Sequence, residues 1–292
     1  MQSWQGKSKG IPLGYRIFVF ILKKLGVYPA YILLRFVALY YYLFSWKSSK
    51  HIYNFYHRVL GFGRFNSLMK LYKNYCLLGQ TIIDKVVVMG GIPNRFTFNF
   101  DGEDNLRKIV AQKKGGLLIS AHLGNWEVAG HLFTRLQTRI NVVMYDGEHQ
   151  QIKDYMDSVT GKRNINVIVI KNDLSHIYAI HEALSNNEMV CMHADRFIEG
   201  NKTITASFLG KDARFPMGPF VLAAKFKVPV SFVFAMKESN LHYHFFSSEI
   251  KDYSAVEKDK LIAAIAHDFV LTLEGHVKNY PEQWFNYYNF WK

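Results

Sequence analysis

The sequence predicts an α/β fold, a mixed and largely parallel central sheet flanked by helices, preceded by a basic helical segment. Three observations carry this prediction. From residue 95 onward, short apolar runs of strand character alternate with helical patterns of about a dozen residues, the rhythm of crossover units on a parallel sheet. Two later strand-like runs, 229–237 and 241–247, flank the turn Glu238-Ser239-Asn240, which adds a hairpin and makes the sheet mixed. Finally, the first acidic residue is Asp84, so everything before it carries Lys and Arg alone.

With 292 residues, 49% of them hydrophobic, the chain can hold one large domain or a domain with an appendage. The expected division is residues 1–90 as a helical N-terminal region and 91–292 as the α/β domain. Residues 11–25 read as an amphipathic helix, closed by Gly26, with Pro29 opening the next. Residues 28–46 are almost wholly apolar and just reach the length a bilayer requires. Arg35 sits near their middle, where an arginine costs about 2.5–3.5 kcal/mol on insertion scales. An in-plane or half-inserted anchor is therefore expected over a spanning helix, with packing on the protein's own core as the alternative. The short run 17–22, interrupted by Lys23-Lys24, does not fit a cleavable signal peptide.

Helical pattern continues from 48 to 89, broken at Gly61-Phe62-Gly63. Residues 95–100 alternate with period two and give the first strand; Asp101-Gly102 turns the chain into a helix over 103–114. Next come strands at 116–121, 140–145, 165–170 and 189–194, separated by helices at 126–136, 149–161 and 174–186. Residues 204–209 then read as a strand, 211–216 as a loop, 217–227 as a helix opened by Gly218-Pro219, and 256–277 as the closing helix. The tail from 280 to 292 is too aromatic for water and should dock on the body or at a membrane.

The net charge of +13 resides almost entirely before Asp84, in residues such as Arg16, Lys23, Lys24, Arg35, Lys47 and Lys50, interleaved with Phe, Tyr, Leu and Ile. Cationic and aromatic side chains in this mixture suit an anionic membrane surface. No helix-turn-helix, zinc-finger or RNP pattern accompanies them, so nucleic acid is not an expected partner. Cys76 and Cys191 lie far apart and indicate neither a disulfide framework nor a cysteine metal cluster.

The chemistry concentrates in residues 115–131. An apolar strand ends at His122, Gly124 and Asn125 turn the chain, and Glu127 follows as a helix begins. On one continuous helix, residues five apart point roughly 140° away from each other, so a His122/Glu127 pair needs that turn. Asn125 is placed to cap the helix. A histidine near neutral pKa takes a proton from a hydroxyl, and a carboxylate beside it fixes its tautomer. Neither a Gly-x-Ser-x-Gly elbow nor a cysteine near His122 in sequence supplies a nucleophile, no common zinc spacing or phosphate loop is present, and no metal is expected. His131, His193, His242 and His244 read as structural or surface histidines.

Taken in order, His-Leu-Gly-Asn-Trp-Glu at 122–127, His193-Ala194-Asp195-Arg196, Phe208-Leu209-Gly210, Phe215-Pro216-Met217-Gly218-Pro219-Phe220 and Tyr280-Pro281-Glu282-Gln283-Trp284 resemble the bacterial lipid A biosynthesis acyltransferases, within the lysophospholipid acyltransferase superfamily. The resemblance covers essentially the whole chain and implies a glycerolipid acyltransferase-like fold. It implies transfer of a fatty acyl chain from an acyl carrier protein or coenzyme A thioester, with no bound cofactor, to a lipid acceptor at the cytoplasmic face of the inner membrane. By it, His122 is the general base and Glu127 its orienting acid. Arg196, with Asp195 beside it, is a substrate-binding candidate, as are Asn125, Arg214 and Lys211. Two readings stay open: the same chemistry on an aminolipid, a glycolipid or a lipid-like pigment, and a catalytically silent lipid-binding protein.

Overall fold

In the computed structural model of the chain, the described residues are 12–128, 136, 138–145, 165–171, 173–251, 253 and 255–291. Residues 1–11, the expected helix at 149–161, most of that at 126–136, and His131 lie outside them. The described residues up to Phe96 form one compact unit with Tyr280–Asn289; those from Thr97 to Asn279 form a second with Phe290 and Trp291.

The first unit is helical. Helix α1 (Pro12–Leu25) precedes α2 (Val27–Phe44) and α3 (Trp46–Asn54), which runs through a π-helical turn, Phe55–Val59, to α4 (Arg64–Met89). One stripe of α2, Val27, Ala30, Tyr31, Leu34 and Ala38, follows the helical repeat and is buried. Gly79 of α4 makes room for it, because a Cβ there would lie 2.2 Å from the Leu34 side chain. The Tyr31 hydroxyl donates to buried Asp84, and Tyr72 Oη donates to the Arg35 carbonyl at 3.2 Å, which pins α2 to α4 by polar contacts as well. The opposite stripe of α2, including Tyr28, Ile32, Phe36 and Phe44, is exposed. Among the described residues α2 is the one helix long and apolar enough to cross a membrane.

The aromatic tail docks within this unit. Trp284 is 1% exposed and packs edge-on against Phe55, ring centroids 4.9 Å apart. The amide of Asn74 donates to the Glu282 carbonyl at 2.9 Å and its Oδ1 accepts from Tyr287 at 2.6 Å, while Lys70 pairs with the Glu282 carboxylate at 2.6 Å.

The second unit contains β1 (Thr97–Asp101), α5 (Glu103–Ala111), β2 (Gly116–Ser120), β3 (Ile140–Met144), β4 (Ile165–Val169), α6 (Ser175–Ser185), β5 (Met189–His193), β6 (Thr203–Phe208), β7 (Lys211–Pro216), α7 (Gly218–Phe226), β8 (Val230–Ser239), β9 (His242–Ser247) and α8 (Leu261–Asn279). Seven strands form one sheet in the order β1-β9-β8-β2-β5-β3-β4. Strands β4, β3, β5, β2 and β8 run parallel; β9 reverses against β8, and β1 lies parallel to β9. The sheet is thus mixed and largely parallel. Central β2 is buried at every position, as a strand covered on both faces must be, whereas edge strand β1 alternates exposed and half-buried residues. Phe269 of α8 packs on Phe232, and Val233, which points to the opposite face, lines a pocket shared with Leu106 of α5.

Residues 211–216, expected as a loop, are strand β7, paired antiparallel with β6. Leu209 (φ 54°) and Gly210 (φ 75°) both adopt positive φ, the geometry of a tight two-residue hairpin turn. Beyond the turn, Ala213 and Phe215 are buried and Lys211, Asp212 and Arg214 exposed, a period-two pattern masked in the sequence by its polar majority.

Candidate active site

Strands β2 and β5 are parallel neighbours with Ser120 opposite His193, so their carboxyl ends open onto the same crevice, where open sheets of this kind bind ligands. His122 lies just beyond β2 and Asp195 just beyond β5. The Asp195 side chain, 1% exposed, holds His122 twice: Oδ1 is 2.7 Å from Nδ1, and Oδ2 accepts the His122 backbone N–H at 3.0 Å. Ala194 N–H donates to the Ser120 carbonyl at 2.8 Å and continues the ladder up to the pair.

Burial acts to raise the Asp195 carboxyl, yet His122, its hydrogen bond and the Arg196 guanidinium outweigh burial and hold it well below the usual carboxylate range. An ionised carboxylate only accepts, so the His122 proton sits on Nδ1 and Nε2 carries the lone pair. Burial, helped by Arg196, lowers the His122 pKa below 6.5 against the opposing charges of Asp195 and Glu127. At neutral pH the ring is therefore a neutral base with its orientation fixed. Glu127 acts on it through charge from the helix start.

His193 is the residue that the sequence reading set aside. Its Nδ1 lies 3.3 Å from His122 Nε2, with the ring centroids 4.2 Å apart, and Trp126 stands edge-on to it at 5.2 Å and 87°. Burial and the neighbouring His122 push its pKa well below 6.5. Its position at the end of the strand, two residues before Asp195, is the available signal, but only the strand pairing places it against His122.

The corner between these groups depends on Gly124. It has φ 73° and bridges to Ala235 of β8, and a Cβ there would lie 2.0 Å from the Ala235 carbonyl oxygen. Asn125, 2% exposed, donates its backbone N–H to that same oxygen at 2.7 Å, its amide to Tyr243 Oη at 3.1 Å, and caps Val128 N–H with Oδ1 at 3.4 Å. Asn125 thus builds the corner. Gly124→Ala combines an unfavourable φ with a backbone clash; we expect it to lower the thermal midpoint by several degrees and to abolish turnover, measured by calorimetry and by product formation.

Ser120, Trp126 and His193 line a pocket whose other residues are mostly apolar, Leu106, Val142, Met144, Cys191, Val233 and Phe245 among them, with Asp101, Glu103 and Ser247 as further polar members. Its volume is about 60 Å³, several times the roughly 10–15 Å³ that holds one water. A longer apolar guest therefore requires lining side chains to rotate. Burial pushes the Cys191 thiol up to about 12, so it serves as a small apolar wall residue.

Arg196 stands beside Asp195, and its charge lowers the pKa of Asp195, His122 and His193 alike. Arg214 and Lys211 lie on exposed positions of β7, with the Arg214 guanidinium 5.3 Å over the Phe197 ring. Arg214 therefore approaches the segment that follows Asp195 and Arg196, while Lys211 sits at the hairpin turn opposite Phe208. Among the described residues no group of three or more His, Cys, Asp or Glu side chains is placed to hold a metal ion.

The family described as "Bacterial lipid A biosynthesis acyltransferase" matches residues 78–292, most of the chain and all of the site. The chain belongs to that family. A phosphatidylinositol mannoside acyltransferase of Mycobacterium tuberculosis strain H37Rv is 27% identical over 132 residues, 42% of this chain and 39% of the relative; the protein of strain CDC 1551 matches equally. The chain thus aligns with only about two fifths of the length of those relatives. Among solved structures, the 1-acyl-sn-glycerophosphate acyltransferase PlsC of Thermotoga maritima is 12% identical, with 84% of this chain and 97% of that one covered and a TM-score of 0.37. Within this member of the lipid A acyltransferase family, the paired strand ends bring together His122, Asp195, Arg196 and His193.

Proposed function

We propose that the protein is a membrane-associated acyltransferase that moves a fatty acyl chain from an acyl carrier protein or coenzyme A thioester to a hydroxyl or amine of a lipid acceptor, with His122 as general base. The observation that carries this reading is the neutral, oriented His122 at the carboxyl end of β2, its Nδ1 held by Asp195 and its Nε2 turned toward His193, which lines an apolar pocket. His122 takes the acceptor proton, the acceptor attacks the thioester carbon, and the proton passes to the leaving sulfur. The acyl chain enters the apolar pocket as its lining side chains rotate, and Arg196, Arg214 and Lys211 supply positive charge for phosphate groups of donor or acceptor. Glu127 adds negative charge that favours the imidazolium formed on the way.

For the acceptor, family membership supports a lipid A precursor-like glycolipid. The mycobacterial relatives, named for a phosphatidylinositol mannoside, support a second glycolipid class. The deciding experiment incubates the purified protein and acyl-coenzyme A or acyl carrier protein with lipid extracts and identifies acylated products by mass spectrometry. Absence of any His122-dependent product overturns the reading and leaves a lipid-binding protein.

The membrane part of the proposal places the protein at the cytoplasmic face of the bacterial inner membrane. It rests on the exposed apolar stripe of α2 and on Phe20 of α1, 64% exposed, beside exposed Arg16, Lys23 and Lys24. With its other stripe buried on α4, α2 is read as lying in the interface. Ile32→Asp with Phe36→Asp is expected to cut partitioning onto phosphatidylglycerol-containing vesicles by at least tenfold in co-sedimentation, since burying each of these side chains is worth about 1.5–3 kcal/mol. Unchanged partitioning would place the membrane contact elsewhere.

A further inference from the structure

The proton on His122 is fixed to Nδ1 by Asp195, so Nε2 is an acceptor. The contact of His193 Nδ1 with that Nε2 at 3.3 Å is then a hydrogen bond only if His193 donates, which assigns its proton to Nδ1. An oxygen that replaces this direct contact, accepting the His193 N–H and donating to Nε2 at about 2.8–3.0 Å each, spreads the two nitrogens to roughly 4.5 Å. His193, with Ser120 and Trp126, lines the apolar pocket beside this contact. Trp126, edge-on to the imidazole, restrains the ring. The charged groups acting on the pair are Asp195, Arg196 and Glu127, and burial keeps His193 neutral among them.

We propose that His193 is a second catalytic residue, whose Nδ1–H holds the acceptor oxygen at His122 Nε2 and so selects oxygen over nitrogen nucleophiles. The inference rests on the acyl-transfer reading above and narrows its acceptor to a hydroxyl. A hydroxyl has one O–H and two lone pairs. It donates its proton to His122, accepts from His193 with one lone pair and attacks with the other. A neutral amine has a single lone pair; engaged by His193, it no longer attacks. In the transfer step the C–O bond forms as the hydroxyl proton moves to His122 Nε2 and the carbonyl electrons move onto oxygen. Collapse of the intermediate breaks the C–S bond, the proton on Nε2 passes to sulfur, and ester and thiol result. His193 keeps its proton throughout.

Two measurements test this. Nitrogen NMR of the full chain labelled with ¹⁵N-histidine, the His193 signal assigned by its loss in His193→Asn, is expected to show the Nδ1–H tautomer at neutral pH. An Nε2–H tautomer overturns the proposal regardless of turnover. The second measurement follows acyl-coenzyme A consumed by water and by methoxyamine, which attacks through nitrogen alone. His193→Leu is expected to lower the ratio of hydrolysis to methoxyamide formation about tenfold, the worth of one good hydrogen bond. His193→Asn, which returns an N–H near the Nδ1 position, is expected to recover most of that ratio. Equal losses on both nucleophiles, or none, overturn the proposal. Consumption of either nucleophile that survives His122→Ala overturns instead the acyl-transfer reading, and the tautomer still decides whether His193 is a donor.

Discussion

His122→Ala is expected to lower acyl transfer by roughly 10²–10⁴-fold, the usual worth of a positioned general base, while vesicle binding and thermal stability change little. The ring is about a quarter exposed, so its loss opens no deep cavity. The pH profile separates this role from a structural one. His122 works in its neutral form and its pKa is lowered below 6.5, chiefly by burial and then by Arg196. Wild-type kcat/KM should therefore be flat above about pH 6.5, near the unperturbed histidine value, and fall as pH drops through the lowered pKa. In His122→Ala that acidic limb should vanish along with most of the rate. Because His122, His193 and Asp195 interact closely, the limb reports the group and not one side chain. A rate that survives the substitution with its limb intact would remove His122 from the chemistry.

Asp195→Asn should come second in size, with kcat down roughly 10²–10⁴-fold and KM little changed, as when the orienting carboxylate of a histidine is neutralised in place. The aspartate meets two donors, the ring Nδ1–H and the backbone N–H of His122, and an amide satisfies one while turning its own N–H against the other. The sign of the pH effect follows from charge: Asp195 raises the His122 pKa, so its neutralisation should move the acidic limb to lower pH. Glu127→Gln should move the limb the same way but less, with a smaller loss of rate, because Glu127 is the smallest of the named influences on the ring. A Glu127→Gln loss exceeding that of Asp195→Asn would reverse the two assignments.

The difference between these carboxylates shows what a linear reading of the chain reaches. Glu127 was visible because it lies near His122 in sequence, across a Gly124-Asn125 turn. The strand pattern places Asp195 at a strand end, as it does His122, but it pairs neither Asp195 nor His193 with His122, because their proximity comes from β2 and β5 being hydrogen-bonded neighbours. Alternation of strands and helices predicts a parallel sheet but carries little about strand order, which here puts β2 between β8 and β5. Likewise the hairpin turn at Leu209-Gly210 was written in the sequence, yet β7 read as a loop because half its residues face water.

By itself the sequence determined the α/β class, the placement of nearly every described element, the basic apolar N-terminal segment and the histidine at the strand-to-helix corner, all properties of local periodicity and local turn chemistry. The tertiary structure alone decided that Asp195 holds His122 Nδ1, that His193 meets its Nε2, that the Trp284 tail belongs with α4, and that one stripe of α2 is buried while the other remains exposed. Each of those depends on which distant segments desolvate one another, a choice that packing makes and that no window of neighbouring residues records.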